Sequence, residues 1–287
     1  MSVTPMTSAV RIEHDSLGEI LVPASACWGA QTARAIVNFP ISGIPISHHT
    51  QLIRALAMVK QAAALANHHL GALSRERCEA IVAAAQEIMD GKWHDHFPVD
   101  VFQGGAGTST NMNINEEISH RGLELMGHTR VDHHALHPND HVNLSQSTNG
   151  TYPTSVRLSV LLSIAPLCEA LDKLARAFEA KAEATSLIVK LGRTRLQDAV
   201  PMTVGQELGA YAATIREDIQ RLDEASRLLC EVNLGGTAIG TRIDADPRYG
   251  NRAIASSRGF PDFPRCSQRI SWRRAGTWAD SSCSPAC

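Results

Sequence analysis

The chain has 287 residues, enough for one large domain or two ordinary ones. With 44% hydrophobic and 20% charged residues its composition is globular, which excludes a chain disordered throughout. Its 27 Lys+Arg against 29 Asp+Glu leave a net charge of −2, which excludes the broad basic field that recruits nucleic acid or acidic lipid. Aromatic residues are only 5%, and Ala and Leu fill long stretches, so a mainly α fold is expected over a β-sandwich. No apolar run approaches the roughly 20 residues of a membrane span. Arg11, Glu13, His14 and Asp15 come before any hydrophobic stretch, which is unlike a secretory signal. A cytoplasmic location with no membrane partner is the expectation.

In chain order, residues 1–47 read as irregular structure with a short hairpin around Leu17-Gly18-Glu19. Leu52, Ile53, Leu56, Val59, Ala63 and Leu70 recur at helical spacing and predict a helix over about 49–69. Ser74 stands where an N-cap belongs, ahead of a second helix that runs to Met89 and stops near Gly91. A third is predicted over about 113–126, ended by Gly127. After a His-rich loop from Asp132 to Gln146, one long helical pattern spans 153–190, with Pro166 as the place for a kink, and another spans 205–232. A short polar loop is expected between them. Helices this long predict an elongated bundle that needs more helices than these two. The four cysteines before residue 256 read as reduced thiols. From Ser256 on the pattern collapses: Leu and Val disappear, while Arg, Ser, Trp and Cys crowd together.

Three segments are too rich in hydroxyl, amide and glycine residues to be packing surface, and a fourth carries glycines suited to a helix C-cap. The first is Gly104-Gly105-Ala106-Gly107-Thr108-Ser109-Thr110-Asn111-Met112-Asn113. Glycines there free the backbone to approach a ligand, and the polar run supplies donors at a helix start. The second, His137-Pro138-Asn139-Asp140-His141-Val142-Asn143 followed by Ser145-Gln146-Ser147-Thr148-Asn149, leads straight into the first long helix and presents donors to an anion. His133, His134, His137 and His141 lie in a loop with no Cys or acidic ligand at typical spacing, so no metal is expected. The third, Gly192 to Glu207, is the elbow between the long helices, and the fourth, Gly235 to Thr241, ends the second of them.

Together and in this order, the four segments resemble the fumarase/aspartase superfamily of lyases, from about Arg11 to Ala255. The opening Arg11-Ile12-Glu13-His14-Asp15 and Trp28-Gly29-Ala30-Gln31-Thr32 are similar to that family's start. Gly122-Leu123-Glu124-Leu125-Met126-Gly127 and Ala199-Val200-Pro201-Met202-Thr203 look more like its aspartate ammonia-lyase branch. Trp28-Gly29-Ala30-Gln31 and His137-Pro138-Asn139-Asp140 are equally at home in class II fumarases.

The resemblance implies an aspartase-like N-terminal domain over 1–146, part of a central helical bundle over 147–255, and a non-family tail over 256–287, read as frame-shifted or disordered. It implies a homotetramer with each active site built from three subunits, no cofactor, and reversible elimination of ammonia from L-aspartate to give fumarate. By similarity Thr108, Ser147, Thr148, Asn149 and Thr194 bind the substrate carboxylates; the donors of the second segment make His137, Asn139 and Asp140 a candidate second anion site. The family's catalytic base is a serine on a Gly-Ser-Ser-x-Met-Pro-x-Lys-x-Asn loop, and no such loop occurs in the 287 residues. Other departures are Arg195 after Thr194, Gly150 where the family has Asp, and Arg242 where a turn calls for glycine. The expectation is therefore an aspartase-type chain, crippled as written. A class II fumarase and a non-catalytic or crystallin-like structural protein are the alternatives.

Overall fold

A computed structural model describes residues 9–243, 245–257 and the backbone of 271–272. The tail read as frame-shifted therefore lies almost wholly outside the described residues. Two compact units divide the chain. One is formed by the residues up to 160 together with those from 231 on, and the other is Leu161–Cys230. The division between these units falls inside a long helix.

In the first unit, β1 (Val10–Asp15) and β2 (Gly18–Pro23) form the predicted antiparallel hairpin, with Arg11 opposite Val22 and Asp15 opposite Gly18. Gly18 has φ +109, a conformation that glycine adopts at no steric cost. Next comes α1 (Ala30–Asn38), a helix within the stretch expected to be irregular. Its buried face is made of the small residues Ala30, Thr32, Ala33 and Ala35. The helices α2 (Thr50–His69) and α3 (Arg75–Met89) lie where the periodicity placed them. Ser74 accepts the N–H of Arg77 at 3.4 Å, as an N-cap should.

Helix α4 (Thr108–Leu125) starts earlier than the predicted 113 and is unusual in what it buries: Asn111, Asn113, Asn115, Glu116, Glu117, Ser119 and His120 all face inward. Buried polar groups are costly unless other elements satisfy them. Here Asn113 donates to the His96 carbonyl, and Ser119 to that of Leu136, whereas Oδ1 of Asn111, Asn113 and Asn115, both Glu117 oxygens and His120 Nε2 have no hydrogen-bond partner among the described residues. Helix α7 (Tyr249–Ser257) packs on α2, with Tyr249 fully buried. The two-residue strand β6 (Ser271–Trp272) pairs in parallel with β5 (Glu231–Val232).

An ion pair ties α3 to α4: Arg121 Nε and Nη2 meet Glu87 at 2.6 and 3.0 Å. Arg121 also stands over the Trp93 ring, 5.3 Å from its centroid. The guanidinium holds the Glu87 carboxyl down at about 2, against an opposing push from burial and with help from Trp93 Nε1. A carboxyl depressed in the folded state stabilises it above the unfolded value of roughly 4.4 and stops doing so as pH falls toward 2. Urea titrations should show about 2 kcal/mol of stability lost across that window, the scale of hydrogen bonds to a charged group. Glu87→Gln should flatten the profile there, and an unchanged slope would assign the acid sensitivity elsewhere.

Helix α5 (Thr148–Ala184) runs unbroken through Pro166, so the expected kink does not interrupt it. In the second unit it leads into β3 (Val189–Thr194) and β4 (Gln197–Thr203), an antiparallel hairpin where a short polar loop was predicted. Its two-residue turn is made by Arg195 and Leu196, both left-handed at φ 52 and 67. Helix α6 (Val204–Leu229) follows, started by a capping box of Thr203 and Gln206. Gly205 lies so close to the Ala182 carbonyl that a Cβ would sit 2.5 Å from its oxygen. Arg216 bridges Asp172 and Glu179, and Phe178 meets Tyr211 edge-on at 5.7 Å. The unit has little core of its own: α6 buries only Gly205 and Ala212, while Leu174, Tyr211 and Leu228 stay exposed.

Two expectations need correction. Helix α5 is long and apolar enough, by length and composition alone, to cross a membrane. Interspersed Ser and Thr kept it from reading as one apolar run. Cys27, Cys78 and Cys168 are free thiols, but Cys230 is disulfide-bonded.

Candidate active site

The site grows from two helix starts. At the first, Gly105, Ala106 and Gly107 all have positive φ (71, 49 and 95), which turns the chain sharply into α4. A Cβ on Gly107 would lie 2.3 Å from the Tyr152 ring, so the turn is fixed by shape as well as by dihedral. Thr108, exposed at the first position of α4, donates its hydroxyl to the Gly105 carbonyl at 2.6 Å. Three residues on, Asn111 points inward, and its amide lies 3.2 Å from both Asn143 Oδ1 and Thr148 Oγ1.

The second start is that of α5. Ser147 Oγ accepts the N–H of Asn149 at 3.3 Å, and the Ser147 carbonyl takes those of Gly150 and Thr151. Asn149 donates its amide to the Ala238 carbonyl at 2.7 Å, and Asn233 returns one to the Asn149 carbonyl at 2.7 Å. The fourth polar segment is thereby tied to the second. Gly150 is buried there, and a Cβ on it would stand 3.2 Å from the Asn233 carbonyl oxygen. Arg242 takes the left-handed φ of 63 that a glycine would take without strain.

Beneath these loops is a residue outside the four polar segments. Lys60, on α2, is fully buried, and its ammonium donates to Asn143 Oδ1 and Gln146 Oε1 at 2.9 Å each. No carboxylate pairs with it among the described residues, and burial pushes its pKa well below the ordinary lysine range. The only signal in the sequence is a lysine, followed by Gln61, inside a Leu56–Ala66 stretch that is apolar elsewhere.

A cavity of about 440 Å³ opens between the segments, lined by Asn139, Asp140, Asn143, Ser145, Gln146, Ser147 and Thr237 among others. Such a volume suits a small ligand. His137 is engaged locally: its Nδ1 accepts the N–H groups of Asn139 and Asp140 at 3.1 Å each, and burial lowers its pKa. The Asp140 carboxylate lies 3.4 Å from that nitrogen and is 76% exposed, which sets a negative charge at the cavity mouth. Of the residues expected to bind carboxylate, Thr148 and Asn149 are bound into the network around this cavity and Ser147 lines it. Thr108 stands a turn before Asn111. Thr194 is exposed at the end of β3, in the second unit.

The chain matches the lyase family over residues 18–267. An aspartate ammonia-lyase of Pseudomonas canavaninivorans is 55% identical over 265 residues, covering 90% of this chain and 56% of that protein. A fumarate lyase/delta crystallin of Brucella melitensis, solved bound to cobalt, superposes with a TM-score of 0.87 at 50% identity, over 96% of this chain and 58% of that one. A class II fumarase of Schistosoma mansoni gives 0.79 at 37% identity, over 87% and 52%. The chain thus spans a little over half the length of the relatives it matches.

Proposed function

The chain belongs to the fumarase/aspartase superfamily of lyases, and from that premise we propose that it carries the carboxylate-binding part of an aspartate ammonia-lyase site. The reaction is elimination of ammonia from L-aspartate to give fumarate. The observation that carries this reading is the meeting of two long helix starts, joined by the hydrogen bond from Asn111 of α4 to Thr148 of α5. A helix N-terminus carries a partial positive charge, and hydroxyl and amide side chains gather at both of these starts, so the pair suits a substrate with two carboxylates. In this proposal Thr108, Ser147, Thr148 and Asn149 are the donors, and the buried Lys60 keeps Asn143 and Gln146 in place beneath them. Thr194 enters on the resemblance alone, as do assembly into a cytoplasmic homotetramer and the division at 147. Assembly would also cover the apolar side chains that α6 leaves exposed.

The test is binding by calorimetry. Fumarate and L-aspartate should bind, and Asn149→Ala or Lys60→Met should weaken them about 10-fold, the worth of one well-placed hydrogen bond. Tighter binding of L-malate than of L-aspartate would favour the class II fumarase reading.

A further inference from the structure

We propose that Glu13, His120 and His133 form a binding site for a divalent cation of the zinc class. Three separate segments deliver them: Glu13 from β1, His120 from α4, and His133 from the loop after α4. Their ligand atoms all lie within 4.8 Å of one another. His120 Nε2 is 3.8 Å from Glu13 Oε1, and His133 Nε2 is 3.6 Å from Glu13 Oε2. Two ligands of a tetrahedral zinc with bonds of about 2.0–2.1 Å stand about 3.3 Å apart, so small side-chain shifts close the site.

His120 is what points to a ligand. Its ring is completely buried, and Nδ1 lies 2.8 Å from the Cys27 carbonyl oxygen. A carbonyl can only accept, so Nδ1 carries a proton and the lone pair of the neutral ring sits on Nε2. That nitrogen has no hydrogen-bond partner among the described residues. It faces a carboxylate that is 2% exposed and offers only lone pairs of its own. Two lone-pair donors left facing each other out of water are unfavourable unless a cation or a proton stands between them. An imidazole held by a carbonyl at one nitrogen and free at the other is also how proteins orient metal-binding histidines.

Arg11 occupies Glu13 Oε1 at 2.7 Å, which leaves Oε2 as the ligand oxygen. His133 is 27% exposed, so the site has one open side for a water as fourth ligand. Two imidazoles and one carboxylate suit zinc, whereas calcium and magnesium call for more oxygens. A second group, Cys27, His96 and Glu117, meets the same spacing. There, however, His96 Nδ1 is already taken by the Cys27 N–H at 3.1 Å.

The test is zinc uptake by the whole chain after chelator dialysis, read by calorimetry and by competition with a chromophoric chelator. One equivalent should bind and raise the thermal midpoint. His133→Gln, checked for folding by circular dichroism, should weaken binding at least about 10-fold, while Cys27→Ser should leave it unchanged. Should His133→Gln fail to fold, zinc should still protect His133 of the unaltered chain from acylation by diethyl pyrocarbonate. No uptake, uptake unchanged in His133→Gln, uptake lost in Cys27→Ser, or an unprotected His133 would each overturn the assignment.

Discussion

The purified 287-residue chain, assayed alone, is expected to form no detectable fumarate from L-aspartate. The proton to be removed lies on the carbon beside the side-chain carboxylate and is barely acidic. Its removal pushes a second negative charge onto that carboxylate, so the reaction needs two things at once: fixed donors where the charge develops, and a base. The donors have candidates here in the helix starts of α4 and α5 and in the network above Lys60. The base, by resemblance a serine on a Gly-Ser-Ser-x-Met-Pro-x-Lys-x-Asn loop, has none, because that motif is not among the 287 residues. General base catalysis contributes about 10²–10⁴ in rate, and a single lost donor about 10²–10³. Turnover should therefore fall at least about 10⁴-fold below that of a relative possessing the loop. The assay is fumarate absorbance in the ultraviolet, run beside such a relative under the same conditions. Rates within about tenfold of it would mean that another group in this chain removes the proton.

Glu116→Ala is expected to be the most destabilising single change in the first unit, by about 4 kcal/mol. Glu116 is 3% exposed on α4, and its carboxylate accepts the N–H groups of Gly29, Gln31 and Thr32 at 2.9, 2.7 and 3.1 Å. These are the orphan donors at the start of α1, whose own N-cap position, Gly29, has no side chain to offer. Burial pushes the Glu116 carboxyl up, and the three N–H bonds work against that push. Hydrogen bonds to a charged group contribute roughly 1.5–3 kcal/mol each, and alanine would leave all three donors unpaired in a dry site. Glu116→Gln keeps one acceptor oxygen and should cost about half as much. The measurement is the urea midpoint of each variant, with proteolysis mapped to residues 24–38 to show α1 loosening first. A loss under 1 kcal/mol would mean that α1 is held by packing alone.

Some of this was legible from the chain itself. Helices α2 and α3 follow from apolar spacing and the Ser74 cap, and the β1–β2 hairpin from Gly18. The polar runs around Thr108 and Ser147–Asn149 were recognisable as helix starts rich in donors, because small hydroxyl and amide residues gathered at one point have no use in packing. These signals act between residues a few positions apart, and so they leave a pattern in the sequence. Only the tertiary structure decided the rest. Helix α1 starts where Glu116, more than eighty residues further along, supplies its cap. The β3–β4 turn uses Arg195 and Leu196 in left-handed positions that no glycine announces. Lys60 reads as an interruption of an apolar face until Asn143 and Gln146 fold over it. The histidine loop has no acidic ligand at metal-type spacing, and the acid that faces His133 is Glu13, on strand β1, 120 residues earlier. A buried polar group has to find a partner somewhere, but its chemistry sets only the kind of partner; which residue fills that place is settled by the packing of distant elements, and packing of that kind leaves no period to read.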